Sequence, residues 1–145
     1  MTADLSALDF EIPARDALGQ QHVLGKLLAA EEKLLLYWKL RGRTFRPAAE
    51  DMQTIAIDYS AVESVTLQTT LGLFKPRLIL RLTEPGLLQG MPGTEVGSTT
   101  LHLTGGHARA EAAKFIRLVD YRKSEADAKR SMDRLSDLRG ERDPL

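Results

Sequence analysis

The spacing of apolar and polar positions changes once along the chain. Up to about residue 104, apolar residues recur at every second position in short runs, as in half-buried strands; from about His107 they recur every third or fourth, as on a helix face. From His22 to Arg46 a helix would be apolar on nearly all sides, so strands are the better reading. Leu34, Leu36, Trp38 and Leu40 then share one face, with Lys39, Arg41 and Arg43 on the other, although Leu35 and Tyr37 blur the alternation. Residues 47–53 are a polar break. Ile55, Ile57 and Tyr59 alternate with Ala56 and Asp58, and Val62, Val65 and Leu67 follow after a bend in a threonine-rich strand.

The stretch 71–82, LGLFKPRLILRL, divides at its centre. Gly72 and Pro76 bracket a turn carrying Leu73, Phe74 and Lys75; beyond it Leu78, Leu80 and Leu82 face one way and Arg77, Ile79 and Arg81 the other. Glu84-Pro85-Gly86 and Met91-Pro92-Gly93 are turn signals, and Thr99 to Thr104 is one more short strand. After Gly105-Gly106 no proline or glycine occurs from His107 to Leu138. Ala108, Ala112, Phe115, Ile116 and Val119 fall at helical spacing there, followed by a thinner stripe of Ala128, Met132, Leu135 and Leu138. Short strands followed by one long helix, with no βαβ alternation, predict an α+β fold that is mainly β: an antiparallel sheet with the helix packed on one end or face. Residues 1–21 carry Asp4, Asp9, Glu11 and Asp16 around Pro13 and read as an N-terminal arm with one helical turn after the proline. The expected organisation is an arm (1–21), a domain (22–121), and a helix extension with a polar tail (122–145).

Composition narrows the partners. A length of 145 residues suits one domain with its own core, and 20 basic against 20 acidic residues leave no global field to draw the chain to nucleic acid. With no cysteine there is neither disulfide framework nor thiol nucleophile. The acidic start lacks the features of a secretory signal, and no apolar run reaches the ~20 residues of a spanning helix, so a cytoplasmic protein is expected.

Two segments concentrate positive charge without acids: Lys39, Arg41, Arg43 and Arg46 in one, Lys75, Arg77 and Arg81 in the other. On one side of a sheet they would hold phosphate or an acidic peptide; the plainer alternative is a solvated strand face. His22, His102 and His107 are too scattered for a metal site, and His102 points opposite to Leu101 and Leu103. Thr104-Gly105-Gly106 offers either backbone N–H groups to an anion or a threonine cap to the helix. No phosphate loop, nucleophile elbow or paired-histidine metal motif occurs, so neither catalysis, cofactor nor metal is expected.

Gly25 to Tyr37, GKLLAAEEKLLLY, resembles the opening hairpin of GRAM-type and bacterial PH-like domains, a glycine-containing strand followed by leucine and an aromatic. Ile57 to Val65 is similar to that family's third strand and the bend into its fourth, and Arg77–Thr83 with the helix 107–121 completes the order. The resemblance covers about residues 22–121. It implies a strongly bent antiparallel sheet, or partly open barrel, of about seven strands, plugged at one end by the C-terminal helix. The phosphate pattern of PH domains would be met by Lys26 with Lys39 and Arg41, or with Arg41 and Arg43. Phe115 stands in the closing helix where eukaryotic PH domains usually carry tryptophan, and the helix extension exceeds what the fold needs. The expected function is therefore a non-catalytic PH-like binding or assembly domain, with protein partners or self-association through Leu73, Phe74, Met132, Leu135 and Leu138. The alternative is an anionic-lipid or phosphate module using Lys39, Arg41, Arg43, Lys75, Arg77 and Arg81.

Overall fold

A computed structural model of the chain describes residues 6–14, 21–41, 52–69 and 76–142, without the side chains of 139–142. The strands are β1 (Ser6–Ile12), β2 (Val23–Ala29), β3 (Lys33–Leu40), β4 (Gln53–Asp58), β5 (Val62–Gln68), β6 (Arg77–Leu82), β7 (Thr94–Glu95) and β8 (Ser98–Leu103), followed by the helix α1 (Ala108–Arg142). All pair antiparallel in the order β4-β3-β2-β1-β8-β6-β5, with the short β7 paired to β8.

The curl of this sheet follows from one connection. Its two edge strands, β4 and β5, are joined by only Tyr59–Ala61, a single 3-10 turn. On a flat sheet those edges would lie six strand spacings, about 29 Å, apart, whereas so short a link reaches about 14 Å at most. The sheet must therefore roll until the end of β4 meets the start of β5. It stays unclosed, because β4 pairs only with β3 and β5 only with β6. The result is a mainly-β, unclosed antiparallel sheet of seven to eight strands capped by one long C-terminal helix: the α+β arrangement that the element order predicts, with the strand number and partly open form that the resemblance implied.

Alternation decides what fills the roll. Leu8, Phe10 and Ile12 of β1, Leu34 and Leu36 of β3, Leu78, Leu80 and Leu82 of β6, and Leu101 and Leu103 of β8 all point inward and are buried. Helix α1 closes the core with Ala108, Ala112, Phe115 and Val119, spaced at about one turn each so that they share one face. Trp38 packs half-buried against this core, while Leu40 at the end of β3 is exposed. The position of Gly25 is steric: Phe10 lies opposite it on β1, and a Cβ there would meet both the Phe10 ring and the Tyr37 carbonyl. Gly97 has a different reason, its φ of +69° closing the two-residue loop between β7 and β8.

Residues 6–12 depart from the expectation of an arm. They form β1, the middle strand of the seven-strand path, hydrogen-bonded to β2 on one side and β8 on the other. The acids that suggested an arm, Asp9 and Glu11, are its outward positions, and Leu8, Phe10 and Ile12 its inward ones. The glycine-containing hairpin expected to open the sheet is consequently β2–β3, its second and third strands. The helical turn expected after Pro13 lies outside the described residues.

Two side chains, one on the turn between β4 and β5 and one on the helix, reach the same loop of the sheet. The Tyr59 hydroxyl donates to the Ala30 carbonyl, and Arg122 Nη1 donates to the Glu31 carbonyl at 3.1 Å. Both hold the β2–β3 turn. Burial raises the Tyr59 pKa above the usual tyrosine value, and the nearby Arg122 charge partly opposes this.

Candidate functional site

The strand register sets the outward side chains in rows across the sheet. One row runs Lys39, Leu24, Glu11, His102, Arg77, Gln68 across β3, β2, β1, β8, β6 and β5. Beside it, Arg41 N–H donates to the His22 carbonyl at 2.7 Å, which places those two residues at the same end of the sheet. Lys39, Arg41 and Arg77 thus share one face and one end, but Lys39 and Arg77 are four strand spacings apart, about 19 Å along the sheet. The Glu11 carboxylate stands between them.

The other expected anion ligands are placed elsewhere. Arg81 lies a further four residues along β6, about 13 Å from Arg77, opposite Ser64 and Ser98. Lys26 is 3.9 Å from Asp9, so its charge is already partnered. Arg43 and Lys75, and with them Leu73 and Phe74, lie outside the described residues. Helix α1 begins at Ala108, four residues beyond Thr104, whose N–H donates to the Asp9 carbonyl at 3.0 Å. Thr104 therefore ties β8 to β1 and does not cap the helix.

Folding brings together two histidines that stand 80 positions apart in the chain. His22 Nε2 is 3.2 Å from Glu11 Oε2, and His102 is the cross-strand partner of the same glutamate. The His102 pKa is lowered, first by burial and then by Arg77; Glu11 raises it and His22 lowers it. Among the described residues no three histidine, aspartate or glutamate side chains gather as metal ligands would. Period and spacing could not have revealed this cluster, because it is created by the β1–β8 pairing.

The second candidate surface is the extension of α1. Ala126 is the last helix residue packed against the core, so the helix projects some 24 Å beyond it to Arg142. Met132, Leu135 and Leu138 are 70%, 56% and 45% exposed, and Tyr121, nearer the domain, is 61% exposed. At ~100° per residue, Tyr121, Ala128, Met132 and Leu135 point roughly 160° away from Ala108, Ala112, Phe115 and Val119. Leu138 lies at the margin of that stripe. The apolar face of the extension thus looks away from the sheet and has no cover among the described residues.

Among the described residues no helix is long and apolar enough to cross a membrane. No protein-family model, curated protein or solved structure matches the chain.

Proposed function

We propose that the chain is a non-catalytic PH-like assembly domain that binds protein through the far face of its helix extension, a second copy of the chain being its first partner. The carrying observation is the exposed stripe of Tyr121, Ala128, Met132 and Leu135, opposite the face by which α1 packs on the sheet. Such a face gains by pairing with another helix, because each apolar side chain withdrawn from water contributes favourably. The PH-like part of the reading is supported by the seven-strand antiparallel path with a single terminal helix against its core.

Light scattering tests it on three chains: the intact one, one ending at Asp127, and Leu135→Asp. The cut at Asp127 keeps Arg122 and Ala126, which hold the helix to the domain. A concentration-dependent dimer for the intact chain and monomers for the other two are expected. A monomeric intact chain at about 100 μM, an affinity of only ~5.5 kcal/mol, would sink self-association.

A second reading, binding of an anionic ligand or membrane surface, is favoured by Lys39, Arg41 and Arg77 sharing one face. Their separation, with Glu11 between, favours a spread surface over a pocket for one phosphate. Vesicle sedimentation should then depend on anionic lipid content and salt, and should weaken on charge reversal at Arg41 and Arg77. Binding that ignores both is not of this kind.

A further inference from the structure

The two edge strands of the sheet are not equally protected against pairing with another chain. β5 carries a bulge between Val62 and Ser64, places the exposed Glu63 at that bulge and has α1 packed against it. β4 reads QTIAID, with an unbroken register and no proline, lysine or arginine, and its one charge, Asp58, is 3.6 Å from Lys33 of the neighbouring strand. Among the described residues the backbone of β4 bonds only to β3, although the 3-10 turn Pro85–Leu88 lies near it.

Which groups β4 turns to its free edge follows from the β2–β3 ladder. Ala30 N–H donates to the Lys33 carbonyl at one end of that ladder, and Arg41 N–H donates to the His22 carbonyl at the other. Hydrogen-bonded pairs alternate along antiparallel strands, so Lys33, Leu35, Tyr37 and Lys39 direct their backbone groups toward β2, and Leu34, Leu36 and Trp38 toward β4. Their partners Ile57, Ile55 and Gln53 are thereby engaged, and Thr54, Ala56 and Asp58 turn N–H and C=O to the free edge. The outer face has an apolar row ending at the same place: Ala7, Leu28, Leu35 and Ala56 are opposed across β1 to β4, with Leu28 and Leu35 only half-buried and the two alanines exposed.

We propose that β4 pairs antiparallel with β4 of a second copy, about a two-fold axis through Ala56. Ala56 then opposes its own copy, and Thr54 of each chain opposes Asp58 of the other, which gives about six backbone hydrogen bonds in all. The small Ala56 side chains carry the apolar row across the axis to Leu35 of the second copy. On either side of that row the Thr54 hydroxyl faces a carboxylate that accepts from it, and no like charges are opposed. A strand of unrelated sequence would meet the edge backbone but not this side-chain symmetry, which singles out a second copy as the occupant. A ladder of six residues is small beside the roughly 1,000 Å² of a stable interface, so the contact forms near 1 mM, well above the range in which the helix extension acts (about 100 μM).

Hydrogen exchange of the full-length Leu135→Asp chain, whose helix face is disabled, reads the edge alone. Between about 50 μM and about 1 mM the amides of Thr54, Ala56 and Asp58 should slow about twofold, while those of Ile55 and Ile57, bonded to β3 throughout, keep their rates. Two further substitutions on that chain should each abolish the slowing: Ala56→Lys sets like charges face to face, and Ala56→Pro removes an edge donor without touching the β3–β4 bonds. Rates at the three residues that ignore concentration overturn the proposal, as does a slowing that survives in Ala56→Lys. So do equal slowing of all five amides, which marks association elsewhere, and slow exchange already in the dilute sample, which means that the chain covers its own edge. Failure of the helix contact is read separately, from light scattering of the intact chain.

Discussion

Gly25→Ala sets two effects of known sign against each other. Replacing glycine reduces the freedom of the unfolded chain, which by itself stabilises by roughly 0.4–1 kcal/mol. Against this, the new methyl group meets the Tyr37 carbonyl and the Phe10 ring. Neither can retreat easily: Tyr37 belongs to β3, held between β2 and β4, and the Phe10 side chain is 2% exposed within the core. Overpacking of this kind costs about 1–3 kcal/mol, so a net loss of about 1–2 kcal/mol is expected. Phe10→Leu alone should cost about 1–2 kcal/mol through the lost ring volume. In the double variant leucine leaves space for the methyl group, so the two losses should fall short of their sum by about 0.5–1.5 kcal/mol. The Tyr37 carbonyl remains, so relief is partial. Urea unfolding at neutral pH, followed by the fluorescence of Trp38 beside Gly25, measures all four corners of the cycle. A Gly25→Ala variant more stable than the parent, or losses that add within about 0.3 kcal/mol, would refute the steric reasoning.

Three further outcomes are expected. Tyr59→Phe leaves the Ala30 carbonyl without its donor and should cost about 1 kcal/mol. Because burial raises the Tyr59 pKa, the parent should also lose stability as the pH rises above the unfolded value of about 10, and the urea midpoint of the variant should fall less steeply across that range. Phe115→Ala empties the centre of the helix face that closes the core and should cost about 3–5 kcal/mol in the same assay, whereas Val96→Asp, on an exposed loop, should stay within about 0.5 kcal/mol. Met132→Asp should abolish dimers in light scattering yet leave the unfolding free energy of the monomer within about 0.5 kcal/mol, since its side chain touches no core residue.

Period was a good guide wherever one face of an element is buried and the other wet. β4, β6 and β8 lie where the alternation places them, the bend at Tyr59–Ala61 precedes β5, and α1 begins within a residue or so of the expected start. The stripe of Met132, Leu135 and Leu138 was legible as narrow and is exposed. β1 was obscured by its own outward acids: Leu8, Phe10 and Ile12 carry the strand period, but Asp9, Glu11 and Pro13 gave the segment the composition of an arm. Distance in the chain hid the rest. That His22 and His102 converge on Glu11, and that Arg77 and Lys39 stand four strands apart, depend on β1 lying between β2 and β8, which no local pattern specifies.

That central placement of β1 also orders the assembly of the sheet in time. Neighbouring strands β1 to β4, and β5 with β6, are successive in the chain and close short loops, whereas Phe10 meets Leu103 across 93 positions. Bringing such remote segments together carries the larger loop-closure entropy, and contacts of long sequence separation slow folding. The hairpins can therefore form early, while the β1–β8 pairing must wait until β8 has been synthesised. Until then β1 presents an unpaired edge, and its outward Asp9 and Glu11 place negative charge along that edge, a feature that discourages the pairing of one nascent chain with another.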